Sequence, residues 1–320
     1  MRIQKVCILG GSGFVGRHIA NRLSDERIEK VVLTRHRERN RHLLPIPNLQ
    51  LVEADVHDDK QLLEYFDGCD AVINLVGVLN DSRKSGESFQ DAHVELVRKI
   101  VGAAQRAGVK RYLHMSALGA GPDGPSRYQQ TKGQGEAVAW KAHGEHLAVT
   151  LFQPSVIFGP EDSFLNQFAM LLRLSPGIFP LPTPNARFKP VYVSDVAEAF
   201  VRALTDRDTF GRTYQLCGPR VYTLKSLVQY TAEVLDLNRH VWGLSDRLSR
   251  LQARILERVP GRPYTYDNYL SSIVDNVCSE DGLAELGIQP TAVEAVVPKY
   301  LGGRMPRDRY DEFRREARRE

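Results

Sequence analysis

Tyr128 and Lys132 stand four residues apart in Tyr128-Gln-Gln-Thr-Lys132, at the start of a helical pattern that runs to His143. That spacing sets both side chains on one helical face, where an ammonium can stabilise a phenolate and lower the tyrosine pKa toward neutral pH. A tyrosine tuned in this way is a general acid or base for a carbonyl or hydroxyl interconverted by hydride transfer. Such pairs are common by chance, and this one gains weight from its place after the fifth strand-like run. A second group is Gly10, Gly13 and Gly16 in Gly10-Gly-Ser12-Gly13-Phe14-Val15-Gly16, directly after the apolar run Val6 to Leu9 and before the helical pattern His18 to Leu23. Glycines there permit a tight turn and close approach of backbone to a pyrophosphate, with the free amides of a helix N-terminus aimed at the anion. Gly10, Ser12, Gly13, Phe14, Val15 and Gly16 are therefore the expected phosphate cradle of a dinucleotide.

The residues after the second strand bear on which dinucleotide. Thr34-Arg35-His36-Arg37 offers no acid between Val31 and Arg37. A carboxylate there would accept from the ribose hydroxyls and repel a 2′-phosphate, whereas arginine suits bidentate phosphate contact. Thr34 and Arg35 thus favour NADP(H), with NAD(H) the other candidate. Asp55-Val56, after the third strand, falls where the adenine edge would lie, and Leu75-Val76-Gly77 would lay small or apolar surface against the cofactor.

Strands are predicted at Val6 to Leu9, Val31 to Thr34, Leu49 to Ala54, Ala71 to Val76, Arg111 to Met115 and Leu147 to Phe152. Amphipathic stretches such as Val94 to Ala107 alternate with them. This rhythm predicts an α/β fold, a Rossmann-type doubly wound parallel sheet with a small, mostly helical C-terminal lobe. Residues 1–175 form the expected NAD(P)-binding domain, completed by 191–218, where Thr213 to Leu216 would return as one more strand. Residues 176–190 and 219–320 form the expected substrate or partner lobe. Pro176, Pro180, Pro182, Pro184 and Pro190 argue against regular structure in the crossing segment, and Ser194-Asp195 reads as the cap of a helix through Leu204.

The chain has 320 residues, 42% hydrophobic and 26% charged, ample for a sizeable core. A formal net charge of +4 is slight for this length and gives no reason to expect a nucleic-acid partner. Cys7, Cys69, Cys217 and Cys278 have no paired spacing, so neither a metal site nor a disulfide framework is expected, and a reducing compartment fits. With no signal-peptide plan and no apolar run long enough for a span, the expected location is cytoplasmic, or peripheral at the cytoplasmic face of the membrane. Oligomeric state is left open.

Together these residues resemble the short-chain dehydrogenase/reductase superfamily in its extended and atypical branches, over nearly the whole chain. The resemblance rests on the glycine loop, Asn74-Leu-Val-Gly77, Tyr128 to Lys132, Gln153-Pro-Ser-Val-Ile-Phe-Gly-Pro160 and Val191-Tyr-Val-Ser-Asp-Val-Ala197. More narrowly, His114-Met-Ser-Ala-Leu-Gly-Ala120, Lys132-Gly-Gln-Gly-Glu136 and Asp275-Asn-Val277 resemble bacterial relatives of the nucleotide-binding accessory subunit of mitochondrial respiratory complex I. The resemblance implies that Tyr128 donates or accepts the proton, that Lys132 also holds the nicotinamide ribose, and that Pro154 and Ser155 border the cofactor. The family's usual third polar residue falls on Ser116 or, in extended-branch register, on Ala117. At Asp91-Ala-His93-Val94, where extended members usually carry an asparagine, His93 is either a substitute polar group or a helix-packing residue.

Trp242, Leu244, Leu248, Leu251, Ile255 and Val259 recur at near-helical spacing, with Arg247, Arg250, Arg254 and Arg258 largely between them. An ordinary surface helix would turn that stripe into the core. The alternative is a basic amphipathic helix on an anionic membrane or at the mouth of an apolar-substrate site. The tail Arg314-Arg315-Glu316-Ala317-Arg318-Arg319 is mixed in charge and expected to be solvated, with partner or lipid contact the second reading. Three functions fit: an oxidoreductase on a carbonyl or hydroxyl of an apolar, lipid-like or quinone-related substrate; a non-catalytic cofactor-binding accessory, assembly or redox-sensing protein of a respiratory complex; and a nucleotide-sugar epimerase or dehydratase.

Overall fold

The computed structural model describes residues 1–81, 88–259 and 262–302. The tail Arg314 to Arg319 lies outside them. The strands are β1 (Lys5–Leu9), β2 (Glu29–Thr34), β3 (Leu49–Glu53), β4 (Ala71–Asn74), β5 (Arg111–Met115), β6 (Ala148–Pro154), β7 (Ile157–Phe158), β8 (Ile178–Leu181), β9 (Arg187–Phe188), β10 (Val191–Tyr192), β11 (Arg212–Leu216), β12 (Tyr222–Thr223) and β13 (His240–Gly243). Between and after them run α1 (Phe14–Asp25), α2 (Asp59–Phe66), α3 (Leu96–Arg106), α4 (Arg127–Lys141), α5 (Leu165–Leu174), α6 (Val193–Thr205), α7 (Leu224–Val234), α8 (Asp246–Leu256), α9 (Tyr266–Ser272), α10 (Gly282–Glu285) and α11 (Val293–Leu301).

Seven parallel strands make the main sheet in the order β11-β6-β5-β4-β1-β2-β3. Strand order reverses beside β1, which opens a crevice at the C-terminal ends of β1 and β4, the usual ligand position of a doubly wound sheet. Both faces are covered. Ile19 and Leu23 of α1 and Val196 and Phe200 of α6 pack on one side with Ile8 and Phe152. Leu62 and Phe66 of α2 and Val97 and Ile100 of α3 pack on the other with Cys7 and Val149. Beneath β5, the buried Arg111 guanidinium ties the sheet to α6, donating to the Ala203 carbonyl (2.7 Å), Thr150 Oγ1 (2.6 Å) and Thr209 Oγ1 (3.0 Å).

Three local expectations are corrected. The proline-rich crossing is not irregular throughout: β8 carries Pro180 and pairs in parallel with β13, Pro180 opposite Trp242. A two-stranded ribbon tolerates proline where its missing N–H faces no partner. Asp195 is not a cap, because α6 begins at Val193; its carboxylate instead accepts from Thr291 N (2.7 Å) and Oγ1 (3.0 Å), fastening the C-terminal segment to the sheet domain's last helix. Finally, Cys217 and Cys278 form a disulfide across 61 residues of sequence. The pairing has no short-range signature, because the segment around Asn276 is laid against the end of β11 only by the fold. Cys7 and Cys69 remain buried thiols, Cys69 pushed up to about 11 by burial.

Candidate functional site

The glycine turn is packed too closely against its own backbone and the end of β4 to admit side chains at Gly10 and Gly16. Gly10 has φ +74°, and a Cβ there would lie 3.0 Å from the Leu75 carbonyl carbon of β4's end. At Gly16 a Cβ would fall 2.5 Å from Gly11 Cα, so the first turn of α1 rests directly on the loop. Gly13 is the N-cap and supplies no capping side chain; the first helical bond runs from Arg17 N–H to its carbonyl (3.1 Å). The earlier amides of α1, from Phe14 to Gly16, are left as donors for an anion. Ser12 Oγ donates to Thr34 Oγ1 (3.4 Å), and Asn40 Nδ2 donates to the same hydroxyl (3.0 Å), tying the loop to the end of β2. Arg35 follows, exposed, and Arg37 donates to the Leu51 carbonyl (3.2 Å) and pairs with Glu38 (3.3 Å). Asp55 sits at the end of β3, its carboxylate accepting from His57 N–H (2.9 Å), with Val56 half-buried beside it.

Beneath the end of β4 lies a buried polar triangle. Asn74 Nδ2 donates to the Tyr112 hydroxyl (3.2 Å) and lies 3.3 Å from His114 Nδ1, while Asn74 Oδ1 accepts from Val76 N–H (3.1 Å). These bonds fix the path of Leu75-Val76-Gly77 along the crevice. A Cβ on Gly77 would lie 3.7 Å from His93 Nε2 and 3.8 Å from Lys132 Nζ, so this glycine keeps the space between those two nitrogens open.

His93 belongs to a π-helical turn, Asp91–Glu95, that leads into α3. Such turns recur at functional sites because they re-aim a side chain. The buried ring accepts from Val78 N–H at Nε2 (3.1 Å), which leaves Nδ1 to donate to Thr131 Oγ1 (3.0 Å); that hydroxyl donates onward to the Arg127 carbonyl (2.9 Å). Burial, then the charge of Lys132, pulls the imidazole down to about 3, so it stays neutral. The ring also stacks on Phe89 (centroids 5.4 Å apart) and meets Tyr128 edge-on at 5.5 Å. His93 therefore packs the π-helical turn against α4, with its ring edge-on to Tyr128.

Tyr128 and Lys132 do lie on one face of α4, near the crevice. Ser126 caps that helix, and Asp267 of α9 accepts from the backbone amides of Arg127 (2.7 Å) and Tyr128 (3.2 Å), so the C-terminal lobe holds the end of the helix from which Tyr128 projects. The expected electrostatics are corrected. Burial, with the Asp267 charge adding to it, pushes the phenol up to about 12, and burial pulls the Lys132 ammonium down to about 8. Lys132 Nζ spends a hydrogen bond on the Met115 carbonyl (2.7 Å). Burial and the Asp267 carboxylate, not the charge of Lys132, set the tyrosine, opposite to the expected lowering.

Lys132 also makes stability depend on pH. The folded protein gives up this proton near 8 and the unfolded chain near 10.5, so between those values the unfolded state binds more protons and stability rises with pH. Wild type should therefore gain stability relative to Lys132→Met across that window, read by denaturant unfolding at a series of pH values. A flat difference would mean that Lys132 is not desolvated in the fold.

Ser116 Oγ is buried without a partner in hydrogen-bond geometry and lies close to the Glu136 carboxylate. Burial pushes Glu136 up, opposed by Ser116 and by Gln153, whose amide donates to it (2.8 Å). Pro154 ends β6, its carbonyl accepting from Leu118 N–H (2.9 Å). Ser155 Oγ donates to Asn276 Oδ1 (2.6 Å) and its N–H to the Leu216 carbonyl (2.9 Å), so both of its donors are engaged within the fold. Glu136 and Asn276 stand in motifs that carry the family resemblance, but their positioning role, and that of Asp267, is visible only in the fold. Glu136 lies one helical turn beyond Lys132 and Asn276 sits in the Asp275-Asn-Val277 motif, whereas Asp267 has no local signal. Among the described residues no group of His, Cys, Asp and Glu is arranged to hold a metal ion, and no helix is long and apolar enough to cross a membrane.

Comparison with known proteins gives the chain's relatives. The family described as "NAD dependent epimerase/dehydratase family" matches residues 6–217. The chain is 30% identical over 300 residues to "NADH dehydrogenase [ubiquinone] 1 alpha subcomplex subunit 9, mitochondrial" of Mus musculus, covering 90% of this chain and 77% of the relative. It is 24% identical over 277 residues to "4-hydroxy-2-methyl-3-oxo-4-farnesyl-3,4-dihydroquinoline-1-oxide ketoreductase" of Stigmatella aurantiaca, covering 78% and 79%. Among solved structures, the "NADPH-dependent quinone oxidoreductase QOR2 complexed with NADPH from escherichia coli" superposes with a TM-score of 0.72 at 18% identity, covering 91% of this chain and 98% of that one.

Proposed function

This chain belongs to the NAD dependent epimerase/dehydratase family, and from that premise we propose that it binds NADP(H) and reduces the carbonyl of an apolar, quinone-related or lipid-like substrate. The observation that carries the reading is the convergence of Tyr128 and Lys132 with the glycine cradle on one crevice. The fold likeness is to enzymes that hold nicotinamide cofactors, and a Cβ at Gly10 or Gly16 would strike backbone, as expected of a turn packed closely enough to bring its amides to a pyrophosphate. The amides of Phe14 to Gly16 would hold the pyrophosphate, Arg35 and Thr34 the 2′-phosphate end, and Lys132 the nicotinamide ribose. When bound, the cofactor supplies hydride. Tyr128, protonated throughout the neutral range, gives its proton to the carbonyl oxygen as charge develops there. Lys132 keeps the local charge positive, and Ser116, if it moves from Glu136, is the remaining hydroxyl at the strand end.

The farnesyl chain and ketone in the Stigmatella relative's name favour an apolar ketone. A second reading is favoured by the mitochondrial subunit likeness: a cofactor-carrying protein of a respiratory complex, peripheral to its membrane. Single-turnover mixing of the NADPH-loaded protein with quinones and prenylated ketones in mixed micelles tests the two. Rapid NADPH oxidation supports the reductase; tight retention of NADPH with no oxidation by any acceptor supports the carrier.

Cofactor choice has its own test. Arg35→Asp removes a bidentate phosphate partner and adds a like charge. It should weaken NADPH binding by at least roughly tenfold and leave NADH binding within a factor of about two. Equal losses for both nucleotides, measured by fluorescence titration, would remove Arg35 from the phosphate site.

A further inference from the structure

Helix α8 is turned the opposite way from a core helix. What it buries are Ser249 and Ala253, while Leu248, Leu251 and Ile255 are 43%, 54% and 53% exposed. At about 100° per residue those three fall within roughly one-sixth of the helix circumference, beside the buried strip rather than on it. The next sector holds Arg247, Arg250 and Arg254, and Arg258 follows just past the helix end. Arg250 pairs with Asp246 (3.1 Å) and Arg254 lies over the Tyr266 ring (5.3 Å). Arg247 and Arg258 carry exposed guanidinium groups with no ion pair among the described residues. The helix is pinned in this orientation, because Thr183 N–H donates to Ser249 Oγ (3.1 Å) and Gln252 to the Pro180 carbonyl (3.4 Å). The β8–β13 ribbon beneath it sends Phe179, Leu181 and Val241 inward and exposes Ile178 (62%) and Trp242 (54%). The expectation that the stripe enters the core is thus overturned: the small residues pack and the large apolar ones do not.

We propose that this face, built on Leu248, Leu251, Ile255 and Trp242 with its arginine rim, docks onto an anionic lipid bilayer. Aliphatic side chains flanked by unpaired arginines and an exposed tryptophan complement acyl chains below and lipid phosphates at the rim, and arginine stems can reach from one to the other. The face lies one helix from the candidate site. The Tyr269 hydroxyl of α9 bonds the Asp246 carboxylate of α8, and Asp267 of the same α9 holds the Tyr128 amide. In naming the surface that would present the site to membrane-dissolved substrates, the inference rests on the proposed substrate class only for its purpose; the docking itself does not require catalysis.

The test is flotation of the full-length protein with phosphatidylcholine vesicles containing or lacking phosphatidylglycerol, alongside the emission of Trp242 in a Trp140→Phe background. Wild type and Tyr128→Phe should both float with phosphatidylglycerol vesicles at low salt, with a blue shift of Trp242 emission. The double substitution Leu251→Gln, Ile255→Gln should weaken retention by roughly tenfold or more with an unchanged unfolding midpoint, and Arg247→Gln, Arg258→Gln should remove the preference for the anionic lipid. The proposal is overturned if wild type does not float. It also fails if the Leu251 and Ile255 substitutions leave retention intact, if they instead break up a dimer seen without lipid, or if Arg314→Gln, Arg315→Gln in the tail abolishes binding that the α8 variants keep. Loss of NADPH oxidation in Tyr128→Phe with flotation preserved separates failure of the catalytic reading from failure of this one.

Discussion

Tyr128→Phe lowers the single-turnover rate of NADPH oxidation by roughly 10²–10⁴-fold and leaves NADPH affinity within a factor of about two. The expectation follows from what the phenol can and cannot do in this setting. Burial holds it protonated up to about 12, so at neutral pH it can give a proton without first having to acquire one. An oxygen gaining negative charge during reduction is a far stronger base than a phenolate, and the transfer is downhill once hydride has moved. Phenylalanine keeps the ring that meets His93 at 5.5 Å and Phe89 at 5.9 Å, so the packing of α4 against the π-helical turn should survive. Lys132→Met should behave differently. It removes the group that keeps the pocket positive and takes a hydrogen bond from the Met115 carbonyl, so affinity and rate both fall. If Tyr128→Phe oxidises NADPH as fast as wild type, the proton comes from elsewhere and the tyrosine is a packing residue. If neither protein oxidises it while both retain it, the carrier reading takes over.

The parts of this site readable from sequence are those whose physical requirement is local. A tight turn needs glycine at Gly10, Gly13 and Gly16 whatever surrounds it, and a spacing of four puts Tyr128 and Lys132 on one face of any helix. Alternating apolar runs announced β1 to β6 because strands buried on both faces must be apolar throughout. What stayed hidden depends on chain segments far apart. Asp267 reaches the amide of Tyr128 across 139 residues, and Asn276 reaches Ser155 across 121. Neither distance leaves a periodicity to find. The Cys217–Cys278 pair is hidden for the same reason. Burial, which is not written in spacing, reverses two expected effects. Desolvation reverses the expected tyrosine shift, and the apolar stripe of α8 is exposed because a helical pattern reports which residues share a side, not which side meets the protein.

Gly135→Ala should destabilise the protein by about 3 kcal/mol and disrupt the site, although the same change in most helices helps. Glycine in a helix interior costs about 1 kcal/mol relative to alanine, so the default sign is stabilising. Gly102, inside α3, has nothing within 4 Å of a Cβ and should follow that rule, with Gly102→Ala gaining up to about 1 kcal/mol. At Gly135 the Cβ would lie 2.1 Å from the His93 carbonyl oxygen, where ordinary contact begins at 3.4 Å. The obstacle is backbone in the π-helical turn, not the far end of a flexible side chain, so α4 and that turn must separate by more than an ångström. That movement would pull His93 from the Val78 amide and from Thr131, and with it the wall between Gly77 and Tyr128. Denaturant unfolding of the two alanine variants should therefore move in opposite directions, and Gly135→Ala alone should lose NADPH oxidation. Equal stabilisation of both would mean that α4 does not press on the turn at Gly135, and the positioning of His93 would then need another cause.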